Sequence, residues 1–214
     1  MKRNRGMFCI YTGLLLIAAA LALIGYNQWE DAQAEQAVAS VMQQLKVPEP
    51  ASEQSSISAP VSMLSSEQEI PDHILNPNME MPVQEVDGYD YIGIVEVPSC
   101  EIELPVISQW SYPALRRAPC RFDGSVYTDD MILAAHTYNA HFRRLRELYG
   151  GEEVIFTDIV GNQFCYEVVG VETINETDLE SLKAGDWDLT LFTCTAGGSA
   201  RILIRCERID SGVT

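Results

Sequence analysis

Along most of its second half the chain alternates apolar and polar residues with a period of two, the repeat of half-buried strands. Tyr89 to Ile107 (YDYIGIVEVPSCEIELPVI) reads as two short strands broken at Pro98-Ser99. Ser125 to Thr137 (SVYTDDMILAAHT) supplies another strand after a turn. Glu152 to Ile174 reads as a hairpin turning at Gly161-Asn162 and running on into a longer strand. LTLFTC and RILIRCERI give the last two, each rich in β-branched or large apolar residues. Ala140 to Tyr149 and Thr177 to Ala184 have the composition of short helices. Seven or eight strands therefore fall between Asp87 and Asp210, with connections too short for crossover helices. That pattern predicts an antiparallel barrel or sandwich.

The first half is different. Met7 to Tyr26 is twenty residues without a charge, about 30 Å of helix, enough to cross a bilayer core. Lys2, Arg3 and Arg5 precede it, which predicts a cytoplasmic N-terminus and an extracytoplasmic remainder by the positive-inside rule. The small residues Ala18 to Ala22 also fit a cleaved signal peptide, but the apolar run is long for one and is read as an uncleaved anchor. After it, Glu30 to Leu45 is helix-forming, whereas prolines and serines from Pro48 through Pro82 oppose regular structure. The expected organisation is a cytoplasmic N-terminus (1–6), a transmembrane anchor (7–26), a flexible spacer (27–86), a folded domain (87–210) and a tail (211–214).

Charge narrows the partners. The formal net charge of the 214 residues is −17, and the first six carry +3 of it, so the rest carries −17 less 3, or −20. Nucleic acid is excluded as a partner, since phosphates need basic faces.

Candidate chemistry gathers at the last hairpin, TLFTCTAGGSARILI. A strand ending in Cys194 presents its sulfur at a rim, and Gly197-Gly198 reverse the chain so that Arg201 opens the neighbouring strand. With Ile202, Ile204 and Cys206 facing inward, Arg201 faces outward at the end nearest Cys194. A thiolate needs a cationic neighbour and an oxyanion needs a fixed donor, and an arginine can serve either need. Cysteine chemistry on peptides also needs a proton donor for the leaving amine. Of the three histidines, His73 lies in the spacer and His141 reads as an exposed helical residue. His136, which ends the apolar strand MILAA, is the remaining candidate. Cys9 lies in the apolar run, and Cys100, Cys120, Cys165 and Cys206 read as small buried apolar residues, with a disulfide among them left open. No Cys-x-x-Cys pair points to structural zinc.

AAHT around His136, TLFTC ending at Cys194 and ARILI carrying Arg201 resemble, in order, the three signature elements of the sortases, membrane-anchored cysteine transpeptidases of Gram-positive bacteria. The resemblance spans roughly Tyr89 to Ile209, and the N-terminal anchor with a spacer fits the family's topology. It implies a closed antiparallel β-barrel of seven to eight strands with short helices. It also implies that Cys194 attacks a Leu-Pro-x-Thr-Gly-like sorting signal between Thr and Gly. His136 would then serve as general acid and base, Arg201 would bind the substrate and the oxyanion, and Thr193 would help hold the substrate. The resulting thioacyl enzyme is resolved by an amine of a cell-wall precursor or a pilin. No metal or organic cofactor is required by that chemistry. Arg205 is out of register with the family arginine and reads as structural or surface. The short 175–188 connection argues against a typical class B enzyme, and no lid motif of class C occurs in the spacer, leaving a class D-like or divergent class B-like reading. The competing functions are a hydrolytic cysteine protease and a non-catalytic β-barrel binding module.

Overall fold

The computed structural model of the chain describes residues 3–45, 47–48, 70–195 and 197–210. The middle of the expected spacer (49–69) and the expected tail (211–214) lie outside the described residues. The strands are β1 (Gln84–Val86), β2 (Tyr89–Val97), β3 (Ile102–Ile107), β4 (Cys120–Asp123), β5 (Met131–Ala135), β6 (Glu153–Asp158), β7 (Gln163–Asn175), β8 (Leu189–Cys194) and β9 (Ala200–Arg208). Four α-helices accompany them: α1 (Arg3–Gln44), α2 (Asp72–Leu75), α3 (Tyr112–Leu115) and α4 (Leu179–Lys183).

Eight strands close a ring. The order is β2-β3-β4-β5-β8-β9-β7-β6, and β6 pairs back onto β2 through Gly93 to Glu96. Closure needs Gly93, because a Cβ there would collide with the Thr157 carbonyl oxygen of β6. β1 is a ninth strand, hairpinned onto the start of β2. The closed barrel implied by the resemblance, one of the two architectures the strand pattern allowed, is what forms. Two pairings run parallel, however: a single bridge, Ile107 to Cys120, between β3 and β4, and the five-residue ladder between β5 and β8.

Alternation sorts the apolar side chains into two layers. Val95, Leu104, Met131, Leu133, Phe156, Phe164, Leu191 and Ile204 fill the barrel interior. A second cluster lies on the outer wall and contains Ile132, Ala134, Leu182, Phe192 and Leu203. An outer wall that buries this many apolar groups must be covered, and α3, α4 and α1 cover it.

Part of the expected spacer is therefore not a spacer. Ala34, Val38, Val41 and Leu45 recur at helical spacing, and the first, third and fourth are buried while Val38 packs against the core. The C-terminal third of α1 thus lies along the barrel. Residues 70–86 are likewise folded: Met81 and Val86 are buried, and His73 stacks on Tyr127 at 4.7 Å between ring centroids. From Ile10 to Trp29 the side chains of α1 are exposed almost throughout, and the helix is long and apolar enough to cross a membrane.

Candidate active site

Two strand registers bring the expected residues together. In the parallel β5–β8 ladder Ala134 is level with Phe192 and Ala135 with Thr193. The next residues on the two strands are His136 and Cys194. In the antiparallel β8–β9 ladder Cys194 is the direct partner of Arg201. His136, Cys194 and Arg201 therefore stand at the same end of three adjacent strands. Pleat parity gives them one face as well. Ala134, Phe192 and Leu203 belong to the outer cluster, and His136, Cys194 and Arg201 are each two residues from one of them. All three are half-buried.

The hairpin is built to hold this spacing. The Thr195 amide donates to the Ala200 carbonyl at 2.8 Å and the Gly198 amide to the Thr195 carbonyl at 2.9 Å. Gly197 and Gly198 take φ of +96° and +76°, a region that favours glycine. A second tie crosses to β5: the Thr137 hydroxyl donates to the Cys194 carbonyl at 2.7 Å. Thr193 has its hydroxyl 3.4 Å from that of Thr137 and is only 1% exposed. Its side chain is turned inward, away from the open face. Parity places its neighbours 192 and 194 outward, so any hold of Thr193 on substrate would come from its backbone. Its contact is with Thr137.

Arg201 lays its guanidinium over the Phe192 ring, 5.5 Å from the centroid. Its Nη1 is buried and has no hydrogen-bond partner among the described residues. An arginine nitrogen kept dry and unpaired is a donor waiting for an acceptor. His136 is packed against Tyr138, 4.8 Å between ring centroids. Burial lowers its pKa below the ordinary 6.5, the Arg116 charge lowers it further, and Glu30 works in the opposite direction. Beside it opens a polar cavity of about 340 Å³, lined by Glu30 and Asp31 of α1 together with Thr137, Arg143 and Thr195. Asn139 donates to Asp31 at 3.0 Å, tying α1 to this mouth.

Outside the triad one expectation changes and another narrows. His141 is not exposed: it is 1% accessible, and burial takes its pKa down to about 4. It is a neutral packing residue against Tyr138. Arg205 is structural and fully buried, donating to the carbonyls of Leu182 at 2.9 Å and Ser181 at 2.6 Å, to Thr190 and to Glu172. It fastens α4 to the barrel wall. Cys100, Cys120, Cys165 and Cys206 are free thiols. Burial pushes Cys120 and Cys206 up to about 12, which makes them poor nucleophiles. Thr137 and Phe192 received no role from the sequence, although Phe192 shares the period-two face of Cys194 and Thr137 directly follows His136.

A Sortase domain family model matches residues 95–209, which contain the whole His136–Cys194–Arg201 constellation and seven of the nine strands in full. The chain belongs to the sortase family. It is 28% identical over 107 residues to sortase D of Bacillus subtilis (strain 168), a match covering 48% of this chain and 53% of that protein. The chain thus spans about half the length of that curated relative. The crystal structure of Clostridium perfringens sortase C with a C-terminal cell wall sorting motif is 25% identical, with a TM-score of 0.53, covering 68% of this chain and 92% of the other. Sortase C of Clostridium perfringens SM101 is 25% identical with a TM-score of 0.50, covering 67% and 78%. Sortase C1 of Streptococcus agalactiae, 23% identical with a TM-score of 0.53 over 68% and 80%, shares the fold. The closed eight-strand barrel, its short helices and its N-terminal apolar helix are those of a sortase.

Proposed function

We propose that this sortase is a membrane-anchored cysteine transpeptidase that cleaves a Leu-Pro-x-Thr-Gly-like sorting signal and transfers its acyl part to an amine. The observation that carries the proposal is the register that sets Cys194 beside both His136 and Arg201 on one open face.

In the first half-reaction the Cys194 thiolate attacks the carbonyl carbon of the Thr-Gly bond. The negative charge that develops on the carbonyl oxygen is met by Arg201, whose unpaired Nη1 supplies the donor. The C–N bond then breaks, and the His136 imidazolium gives its proton to the departing glycine nitrogen, leaving a thioester on Cys194. In the second half-reaction an amine attacks the thioester carbonyl, neutral His136 removes its proton, and the C–S bond breaks to restore the thiolate. The polar cavity beside His136, with Glu30 and Asp31 in its wall, suits an entering ammonium group. We read α1 as the anchor, with a cytoplasmic N-terminus and the barrel outside. The B. subtilis relative favours the class D-like reading.

The experiment is substrate labelling with and without an amine. Full-length protein in detergent should convert a Leu-Pro-Glu-Thr-Gly peptide into an amide of the added amine, and Cys194→Ala should not. Equal turnover by Cys194→Ala would sink the proposal.

A further inference from the structure

Coming from the apolar stretch of α1, the barrel is met at its active-site end. The side chains of that stretch are exposed almost throughout as far as Trp29. Asn27, Glu30 and Asp31 then share a cavity with His136, and contact runs on through Ala34 and Val41 to Leu45. α1 is one unbroken helix from Arg3 to Gln44, so the barrel keeps a fixed place along it. Glu30 lies four residues beyond Tyr26, about 6 Å of helical rise, and a headgroup layer is itself about 5–8 Å deep. Tyr26 and Trp29 are both exposed, with ring centroids 6.1 Å apart, as suits aromatic side chains at a membrane–water interface. With α1 across a bilayer, the mouth beside His136 therefore lies at headgroup depth.

That end also carries the barrel's unused positive charge. Of the ten basic side chains between Asp87 and Asp210, five are in ion pairs. Arg121 donates to two backbone carbonyls, and Arg201 belongs to the site. The three that remain, Arg116, Arg143 and Arg146, are exposed and have no hydrogen bond or ion pair among the described residues. Arg143 lines the cavity between α1 and His136. Arg146 follows it by three residues in the 3-10 turn Phe142–Glu147, a spacing that sets the two side chains one above the other. Arg116, just after α3, is close enough for its charge to act on His136 and Tyr138 together with Glu30. The neighbouring carboxylates are already engaged: the Tyr26 hydroxyl donates to Glu30 at 2.8 Å, and Asn139 donates to Asp31 at 3.0 Å.

We infer that the active-site end of the barrel docks on the membrane surface, with Arg116, Arg143 and Arg146 set against the phosphates of anionic lipid headgroups. The guanidinium fork matches a phosphate oxygen pair. Each arginine near an anionic leaflet favours the docked state by about fivefold. The rest of the molecule is turned away by the same field, because the chain as a whole carries −17. Charge and the placement of α1 thus select the same orientation independently. The inference rests on the reading of α1 as a membrane anchor and makes the barrel a second point of attachment.

The test is amide hydrogen exchange of the full chain in nanodiscs, either phosphatidylcholine alone or a phosphatidylcholine–phosphatidylglycerol mixture. Amides of α3 and of the Phe142–Glu147 turn should exchange about tenfold more slowly in the anionic discs. High salt should abolish the difference. The combined variant Arg116→Gln/Arg143→Gln/Arg146→Gln should lose it, and lysine at the same three positions should restore it. Equal exchange in the two kinds of disc, or slowing that survives in the glutamine variant, would overturn the docking. Slowing that follows the number of chains per disc and not the lipid charge would assign this face to a second copy, and would overturn it as well. Flotation with vesicles of the same two compositions separates the two failures. A chain that floats with neither overturns the anchor reading, whereas one that floats with both yet exchanges alike in both discs overturns the docking alone.

Discussion

The Thr137 hydroxyl donates a 2.7 Å hydrogen bond to the backbone carbonyl of Cys194. This links the residue after His136 to the residue that carries the proposed nucleophile, across the ends of β5 and β8. Besides it, the two strand ends are joined by the ladder that stops at Ala135 and Thr193 and by the longer 3.4 Å contact of the Thr193 and Thr137 hydroxyls. Thr137→Val should therefore lower kcat about tenfold with KM little changed, since loosened alignment of catalytic groups costs rate more than binding. Thr137→Ser should restore most of the activity. Steady-state kinetics of the two variants decide this, and a Val variant with wild-type kcat would remove Thr137 from the account.

The pH profile follows from the surroundings of His136. The proposed active form needs a thiolate and an imidazolium together, so kcat/KM should be bell-shaped and the turnover slow. Burial and the Arg116 charge both hold the His136 pKa below 6.5, so the acid limb should lie below that pH. Removing a lowering influence raises it, and Arg116→Ala should move the limb to higher pH. Removing an influence that raises it does the reverse, and Glu30→Gln should move the limb lower. A profile flat from about pH 5 to 10 would contradict the pair.

Arg205 tests the packing of α4. Its guanidinium satisfies the carbonyls of Ser181 and Leu182 at a fully buried position. Arg205→Met leaves both acceptors unpaired and should cost about 3 kcal/mol of stability. Thermal unfolding of the full chain measures the loss, and limited proteolysis should cut first between 176 and 188.

Barrel closure rests on Gly93. A methyl group there meets backbone, which cannot swing aside as a side chain can. Gly93→Ala should cost about 3 kcal/mol, read in the same unfolding experiment, whereas Gly88→Ala, on the β1–β2 turn with open space around it but a φ of +78°, should cost only its backbone strain, about 1 kcal/mol.

Much of this was legible in the chain itself. Period-two alternation located seven of the nine described strands, β1 and β4 being too short to show it, and the glycine pair after Cys194 predicted the turn that returns Arg201 to its side. The proposed triad was suggested by residues that follow, end or open a strand, and its roles came from the resemblance of those motifs to the sortases. What the pattern could not convey was which faces would be covered. Leu203 and Arg205 are outward by parity yet buried, because α4 lies over them. His141 was misread because FRRLREL suggests an exposed helix, while the turn that begins at Tyr138 folds the ring inward. The spacer was misread for the same reason: Ala34, Val41 and Leu45 form too thin a stripe to announce a partner, and the partner is the barrel wall. Parallel pairing of β5 with β8 leaves no local mark either, since it depends on how the 53 intervening residues return.

The most direct test of the central claim is mass spectrometry of the full-length protein mixed with a Leu-Pro-Glu-Thr-Gly peptide, sampled before and after addition of an amine. The account predicts an acyl adduct on Cys194 that loses its mass to the amine and yields the corresponding amide. An adduct on another residue, or the same hydrolysed product with and without the amine, would contradict it.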